Sequence, residues 1–437
     1  MTWTRREFVR TLVAGAAVLP LAGKSVASDV LLRRSAVPLT RDDIALLDDL
    51  ERAGFEFFWN EVDPSTGLVR DRANAEGGDT RPRGSIAAAG FGLTALCIGH
   101  LRQYRSRDEI EARVRDTLSF MAHEAPHVRG FLYHFVNIET GERFGVSELS
   151  PIDMAILLCG VLTCRQYFSD PGIRRDATEI YQRVDWPWAL NGGNTFALDW
   201  VPELGFSSLR WDSYCESMML YLLAMGSPTH PIPGECWPAI RRPWMTYDAY
   251  KFISTPAPLF IHQFSHAWVD FRNKRDDYTD YFVNSVLASQ AHRKFCEELS
   301  EKFPCYTKEL WGITASDSSS GYVVWGGPPQ QGPIDGTVVP AAAAGSLAFI
   351  PREALAVLRT LRAYSAKPIW KRYGFVDAFN PLTGWSSPDV LGIDVGISTL
   401  MAENLRSQFV WNTFMSNREL PLAMARAGFR PTRHGGA

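Results

Sequence analysis

Helices of two kinds alternate along this chain. Apolar residues recur at spacings of three and four through most of the sequence, a pattern that predicts helices rather than strands. Segments such as 85–93 and 340–347 consist of apolar and small residues on all sides, whereas 107–115 carries a single apolar stripe. A helix that is apolar all round has to be enclosed by protein, and an amphipathic helix keeps one face in water. The alternation therefore predicts an inner and an outer layer of helices.

Long and short connections alternate in the same way. We expect helices at 40–60, 85–104, 107–123, 151–168, 173–183, 211–224, 234–242, 257–272, 278–301, 337–348, 351–364, 394–411 and 417–427. Long connections at 61–84, 124–150, 184–210, 243–256, 302–336 and 365–393 each precede one helix of a pair. Six inner and six outer helices predict an all-α fold, a single (α/α)6 barrel over 39–430, with the long loops gathered around a cleft. Pro233 and Pro238 weaken the helix at 234–242, and an irregular helical array is the alternative.

The first 27 residues predict an export signal. Arg5 and Arg6 precede an apolar run over 12–22, and Ser25-Val26-Ala27 provides a cleavage site. The paired arginines resemble a twin-arginine signal, which implies export of the folded protein; a plain secretory signal or an uncleaved anchor is the alternative. Residues 28–38 read as a flexible lead-in, and no later segment has the length of apolar sequence that spans a membrane. We expect a periplasmic or secreted protein without a membrane anchor after cleavage.

Charge and motif content exclude several classes of function. The 437 residues include 45 Lys and Arg against 48 Asp and Glu, a net charge of −3 that offers no basic surface for nucleic acid. The chain lacks a glycine-rich phosphate loop after a strand and a nucleophile elbow, which disfavours nucleotide cofactors and acyl transfer. Seven cysteines, an odd number without a CxxC pair, predict small buried side chains rather than a complete disulfide framework, with a single bridge as the alternative. We expect neither a cofactor nor a metal, and the sequence does not indicate an oligomeric state.

Carboxylates near the starts of the inner helices are the candidates for chemistry. Glu148 and Asp153 flank one predicted helix start, and Glu216 follows Trp211 and Tyr214 at the next. Two carboxylates from separate elements at one barrel mouth suit glycoside hydrolysis. Apolar neighbours would raise the pKa of Glu216, so we assign it as general acid, with Glu148 as base and Asp153 in reserve. Helix capping or pairing with arginine is the alternative for each carboxylate.

Further residues are candidates for binding substrate. They are Arg70, Asp71, Trp211, Tyr214, His262, Gln263, His266, Trp325, Asp394 and Glu403. Arg70 and Asp71 occupy the first long loop, where a solvated turn is the alternative, and Trp325 lies in an aromatic loop over 316–336 that we expect to cover the cleft. Among the carboxylates, Asp394 and Asp153 suit a helix cap best, and the spacing of Glu403 fits an internal ion pair with Arg406.

His262 and His266 lie four residues apart on one predicted helix face. This spacing resembles half of a zinc site, but a zincin glutamate and an evident third ligand are missing from the sequence. Hydrogen bonding to sugar hydroxyls or to buried backbone is therefore the favoured role.

Several motifs together resemble a known family. They are the segments 55–59, 85–93 and 226–231, Glu148-x4-Asp153, Trp211-x2-Tyr214-x-Glu216, the segment 260–270 with His262 and His266, and Asp394 with Glu403 and Arg406. In this order they look like the bacterial glucoamylase-like family that contains the β-1,2-glucanases of glycoside hydrolase family 144, over roughly residues 40–415.

The resemblance implies an (α/α)6 barrel, export, no cofactor, and hydrolysis of β-glucans by inversion. It also implies that Glu216 corresponds to the acid and Glu148 to an acidic position before the second inner helix. The family's pattern has a further acidic residue ahead of Glu148, where this chain has Phe-Gly-Val-Ser at 144–147. This departure leaves the identity of the base and the β-1,2 preference open.

The sequence therefore predicts an inverting glycoside hydrolase that acts on a neutral β-glucan, with β-1,2 linkage favoured and an oligo- or polysaccharide as partner. A polysaccharide lyase on the same barrel is one alternative, because Tyr214, His262 and His266 are possible bases. A non-catalytic oligosaccharide-binding protein is another.

Overall fold

The computed structural model describes residues 38–256, 258–328 and 332–432. The expected export signal, and the lead-in as far as residue 37, lie outside the described residues. None of the helices in the described part has both the length and the hydropathy needed to cross a bilayer.

The described part of the chain is mostly helical. Its fourteen α-helices are α1 (Arg41–Asn60), α2 (Ile86–Arg102), α3 (Arg107–His123), α4 (Pro151–Tyr167), α5 (Pro171–Gln182), α6 (Trp186–Ala189), α7 (Met218–Gly226), α8 (Phe264–Trp268), α9 (Tyr281–Leu299), α10 (Pro340–Ala344), α11 (Pro351–Arg362), α12 (Gly392–Arg406), α13 (Phe409–Phe414) and α14 (Glu419–Arg426). Short 3-10 turns cover Gly234–Cys236 and Leu259–His262.

The strands are two to four residues long, and all but β8 and β16 lie in the long connections. They are β1 (Arg72–Asn74), β2 (Arg83–Ser85), β3 (Phe135–Asn137), β4 (Trp200–Val201), β5 (Gly205–Phe206), β6 (Trp244–Tyr247), β7 (Tyr250–Ile253), β8 (Lys274–Arg275), β9 (Ser316–Ser318), β10 (Gly321–Val323), β11 (Trp370–Lys371), β12 (Gly374–Phe375), β13 (Phe379–Asn380), β14 (Trp385–Ser386), β15 (Asp389–Leu391) and β16 (Arg430–Pro431). Each pairs antiparallel with one partner.

Hydroxyl and carboxyl side chains define where several helices begin. The side chains of Ser85 and Ser150 accept hydrogen bonds from the third backbone amides of α2 and α4. At α1, Thr40 and Asp43 bond to each other's backbone amides, which completes a capping box. These caps fix the start of each helix, and with it the place where the preceding loop ends.

The helices whose residues are almost all buried form an inner layer of α2, α4, α7, α8, α10 and α12. Gly90 of α2 and Gly160 of α4 let these two helices touch, because a methyl group on either would overlap the other helix's backbone. Cys159 of α4 lies 3.8 Å from Met219 of α7, measured between the sulfur atoms. These contacts place α2, α4 and α7 side by side.

The same layer continues through α8 and α10 and returns to its beginning. Met219 N donates to Ser265 Oγ at 3.0 Å, which joins α7 to α8, and the side chain of Gln263, just ahead of α8, donates to Ala342 O of α10 at 2.9 Å. Helix α12 packs on α10 and also on α2, where Gly396 lies against Phe91. The first and last inner helices are therefore in contact.

The amphipathic helices pack outside this layer. Helix α1 packs on α2 and α12, α5 on α3 and α4, and α11 on α10, while α9 contacts the 3-10 turn Leu259–His262. The seven cysteines are free thiols, six of them buried and Cys305 half-buried, as the sequence predicted.

Four helix predictions were wrong in extent. The predicted helix 211–224 begins only at Met218, 257–272 divides into a 3-10 turn and the five-residue α8, and 337–348 shortens to Pro340–Ala344. The predicted outer helix 234–242 is a single 3-10 turn, because proline at 233 and 238 leaves too little chain with free amides for a regular helix. The C-terminal helix α14 packs on α7 instead.

Candidate active site

The six long connections meet at the end where the inner helices begin, and each contacts the next. Backbone bonds join the first to the last through β1 and β15, and the first to the second through β2 and β3. Isolated bridges join Leu149 to Trp200, Ser213 to Arg241 and Val338 to Phe379. Phe260 N donates to Thr314 Oγ1 at 3.2 Å and joins the fourth connection to the fifth. We refer to these connected loops as the rim.

The rim brings Glu148 and Asp153 onto the two sides of one imidazole. His134 Nδ1 lies 2.9 Å from Glu148 Oε1, and His134 Nε2 lies 3.6 Å from Asp153 Oδ1. Asp153 is buried in the first turn of α4, whereas 17% of the Glu148 side chain is exposed. Sequence reasoning missed His134, a single histidine in a loop fourteen residues before Glu148 that no spacing rule selects.

Glu216 lies two residues before α7 and is fully buried. Ser265 Oγ donates to its backbone oxygen at 2.5 Å, which fixes the turn into the helix. Burial raises the pKa of the adjacent Cys215 thiol, and the charge of Glu216 raises it further. Because the carboxyl group is enclosed, a sugar reaches it only if neighbouring side chains move.

The loop before α4 and the turn before α7 belong to neighbouring inner helices that begin at the same end of the molecule. The bridge from Leu149 to Trp200 joins the connection that carries Glu148 to the connection that leads to Glu216.

Asp71 lies within a line of alternating charges on the rim. Arg83 Nη2 and Arg72 Nε lie 2.5 and 3.1 Å from Asp71 Oδ2, and Arg72 Nη1 lies 2.8 Å from Asp317 Oδ1. Burial acts to raise the pKa of Asp71, but the charges of Arg72 and Arg83 outweigh it and the pKa is lowered. Arg70 is turned away from this line and bonds to Arg81 O at 2.9 Å.

A second pair of carboxyl groups lies at the start of α12. Burial, followed by the charges of Asp394 and Asp317, raises the pKa of Asp377 well above its ordinary value. Asp317 N donates to Asp377 Oδ2 at 2.7 Å. A cavity of about 20 Å³, room for about one water, lies against Asp377 and Asp394. Of these groups only Asp394 was a candidate from the sequence.

The aromatic candidates near Glu216 are buried. Trp211 Nε1 donates to Leu198 O at 3.2 Å. Tyr214 Oη lies 3.0 Å from His262 Nδ1, and Ser254 Oγ lies 3.1 Å from His262 Nε2. Burial lowers the pKa of His262 to about 3, so its imidazole is neutral at pH 7. The polar atoms of these buried side chains are thus bonded to protein groups.

Gln263 and His266 also bond to protein groups. Gln263 bridges Ala342 O and Ser346 Oγ of the α10 region, while His266 Nε2 lies 3.0 Å from Ser285 Oγ of α9. Burial lowers the pKa of His266 to about 3. The two histidines contact different serines, an arrangement that does not form half of a zinc site.

Trp325 and Glu403 differ from their expected roles. Trp325 is buried and donates to Ser316 Oγ at 2.9 Å, so its ring does not cover the cleft. Glu403 is fully buried and accepts two hydrogen bonds from Arg102, at 2.7 and 3.0 Å, at the opposite end of α2 and α12. The predicted pairing with Arg406 is corrected: Arg406 bonds to Glu51 and Asp48 of α1.

One group of three possible metal ligands lies among the described residues, on the outer helices. It consists of His123, Asp176 and Glu179. Arg175 Nε lies 2.9 Å from Asp176 Oδ1, so a cation already occupies the side of the carboxylate that a metal would use.

Comparison with known proteins agrees with this architecture. The family model described as "Putative glucoamylase" matches residues 208–418, which confirms the resemblance to the glucoamylase-like family. The chain is 27% identical over 428 residues to an exo-β-1,2-glucooligosaccharide sophorohydrolase (non-reducing end) of Parabacteroides distasonis, a match that covers 88% of this chain and 58% of that protein.

Two solved structures are similar over most of this chain. An endo-β-1,2-glucanase from Chitinophaga pinensis, in complex with sophorotriose and glucose, has a TM-score of 0.83 and 26% identity and covers 90% of this chain and 99% of its own. A β-1,2-glucanase from Parabacteroides distasonis has a TM-score of 0.83 and 25% identity and covers 90% of this chain and 60% of its own.

Proposed function

We propose that this protein is a glycoside hydrolase that cleaves β-1,2-linked glucan by inversion, with Glu216 as general acid and Glu148 as general base. The similarity to a sophorohydrolase and to two β-1,2-glucanases supports the reaction and the linkage. In such a mechanism the acid protonates the leaving oxygen, and the base removes a proton from the water that attacks the opposite face of the sugar. Export through the expected signal is a separate part of the proposal.

The proposed scaffold is an (α/α)6 barrel. The order of contacts from α2 through α12 and back to α2, with amphipathic helices outside, is the arrangement that such a barrel requires. It gathers the six long connections at one end, where a polysaccharide can lie across the rim.

The observation that carries the proposal is the position of Glu148. Its carboxylate is partly exposed at the rim and hydrogen-bonded to His134, one inner helix away from Glu216. Packed helices have axes about 8–10 Å apart. Inverting enzymes separate their two carboxyl groups by about 6.5–9.5 Å to leave room for the water. Neighbouring inner helices therefore suit this separation.

The structure favours hydrolysis over the lyase alternative. A lyase needs a Tyr or His base in the cleft and cations that bind an acidic sugar. Tyr214 and His262 are buried against each other, and Arg72 is engaged by Asp71 and Asp317. The groups that suggested elimination are thus already bonded to protein.

The test combines linkage-defined glucans with three single variants. The wild type should release sugar from β-1,2-glucan and not from β-1,3- or β-1,4-glucan, and NMR should show the α-anomer as first product. Glu216→Gln and Glu148→Gln should each lower kcat about 100- to 10,000-fold, the range of general acid–base catalysis, while retaining affinity for β-1,2-oligosaccharides.

Asp394→Asn is the matched comparison at the other carboxyl pair and should have the smaller effect. A β-anomeric product would overturn inversion, and a larger loss in Asp394→Asn than in Glu148→Gln would move the base to α12. Oligosaccharide binding by a wild type that hydrolyses none of the glucans would indicate the non-catalytic alternative.

A further inference from the structure

We propose that His134 is a positioning residue that holds the Glu148 carboxylate ionised and aimed into the cleft, and that Asp153 holds His134 from behind. This inference rests on the proposed function, since it concerns the base of that reaction. It assigns a role to a residue that the motifs did not select.

The backbone fixes His134 on two sides. His134 N donates to Glu148 O at 2.8 Å, and Ile86 N at the start of α2 donates to His134 O at 3.1 Å. The imidazole stacks on Phe135, with ring centroids 3.8 Å apart and planes inclined by 23°. The ring therefore has little freedom to turn away from Glu148.

The side-chain contacts place the imidazole of His134 between two carboxyl groups. Asp153 is buried, and Ser150 Oγ donates to its Oδ2 at 2.5 Å, which leaves Oδ1 as the atom nearest His134 Nε2 at 3.6 Å. The imidazole stands between this carboxylate and Glu148 Oε1, which lies 2.9 Å from Nδ1. With its proton on Nδ1, His134 donates to Glu148 Oε1, and this hydrogen bond is stronger when Glu148 is ionised. An ionised carboxylate is what a general base needs.

Asp153, His134 and Glu148 differ in how exposed their side chains are. The difference fits a role in which the first two act through the third. Asp153 and the imidazole are almost entirely enclosed, whereas the Glu148 side chain keeps 17% of its surface exposed. Only Glu148 can therefore meet water and substrate, so the two enclosed groups act through it. This is the arrangement by which a buried carboxylate orients a catalytic imidazole, with the exposed member here a glutamate.

Two substitutions at His134 separate positioning from packing. The Asn amide nitrogen takes the place of Nδ1 and keeps the donor to Glu148, whereas the Gln amide nitrogen takes the place of Nε2 and loses it. We expect His134→Gln to lower kcat about 100-fold with KM changed less than about threefold, and His134→Asn to stay within about tenfold of wild type. A purely structural role would make Gln, the larger side chain, the milder change.

The double variant distinguishes this proposal from the proposed function. If His134 acts through Glu148, then His134→Gln should add no further loss to Glu148→Gln. An active Glu148→Gln enzyme would overturn the base assignment itself. An inactive Glu148→Gln enzyme together with a fully active His134→Gln enzyme would overturn only the positioning role.

Thermal unfolding and near-ultraviolet circular dichroism on each variant give the control for folding. Should His134→Gln fail to fold, His134→Asn still decides the matter, because a loss of kcat as large as that of Glu148→Gln would contradict a role that the Asn donor preserves.

Discussion

Three histidines deep in the fold are neutral at pH 7. His262 and His266 bond to serine hydroxyls, and His292 Nε2 accepts a hydrogen bond from Ile313 N at 3.0 Å. Burial lowers the pKa of each to about 3. Such residues stabilise the fold only while they stay uncharged.

The pH dependence of stability follows from these shifts. An unfolded histidine binds a proton near pH 6.5 and the folded one near pH 3, so the unfolded state gains protons first as pH falls. Each of the three histidines should lower the free energy of unfolding by about 1.4 kcal/mol for every unit that the pH falls between these two values. Above pH 6.5 none of them should affect it. Urea unfolding at intervals from pH 7.5 to 5 measures the slope.

A substitution at His292 checks the cause. In His292→Gln the amide oxygen can still accept from Ile313 N but does not titrate, so the slope below pH 6.5 should become shallower by about 1.4 kcal/mol per pH unit. A natively folded variant with the wild-type slope would contradict the explanation.

Residues at helix starts were predictable, and residues in loops were not. The sequence alone selects Glu148, Asp153 and Glu216, because each is a charged residue beside an apolar helical segment. His134 and Asp377 become informative only through contacts between separate connections, which the sequence does not encode locally. His262 and His266 were predicted to share a helix face, but the 3-10 turn that ends at His262 breaks that geometry.

At the scale of elements, the pairing of α2 with α4 depends on two glycines. Gly90 and Gly160 lie where each helix meets the other's backbone, and the buried surface around them is continuous. Since backbone cannot yield as a flexible side chain can, a methyl group here must separate the helices.

Gly160→Ala should therefore lower the free energy of unfolding by about 1–3 kcal/mol, the ordinary cost of overpacking a core. Gly172→Ala in the outer helix α5 is the matched control, because its methyl would lie near the side chains of Asp170 and Arg175, at 3.0 and 3.9 Å, and not against backbone, and alanine favours helix. Chemical denaturation of the two variants measures the difference. Equal stability of both would show that α2 and α4 can move apart without cost.

The long apolar helices were predicted closely, and the short ones were not. Helices α2 and α4 match their predicted segments closely. Their apolar pattern continues over fifteen or more residues, so a few unfavourable residues do not change the outcome. At 234–242 and 337–348 a few residues decide the outcome, so prolines and tertiary contacts override the periodicity.

At the scale of the whole molecule, the first and last inner helices, α2 and α12, are joined to each other at both of their ends. β1 pairs with β15 at the rim, and Arg102 of α2 binds Glu403 of α12 at the other end. Each of these two contacts joins segments about 300 residues apart in sequence. The packed positions of α2 and α12 therefore depend on each other.

Deleting residues 392–432 should therefore prevent folding of the rest. The deletion removes α12 and α14, exposes the faces of α2 and α7 that they cover, and leaves Glu51 buried without Arg406. Circular dichroism and urea unfolding should show no cooperative transition for the shortened chain, whereas the chain ending at residue 432 should unfold in one transition. A cooperative transition in the shortened chain would show that the remaining helices form an independent unit.

The rim has a consequence for how the loops of this scaffold can change. Because each connection is bonded to both of its neighbours, lengthening one loop displaces the backbone of two others. A single loop grafted from a relative would therefore keep its sequence but not its conformation. Adjacent loops have to be exchanged as a set, and natural divergence at the rim should appear as correlated insertions in neighbouring connections.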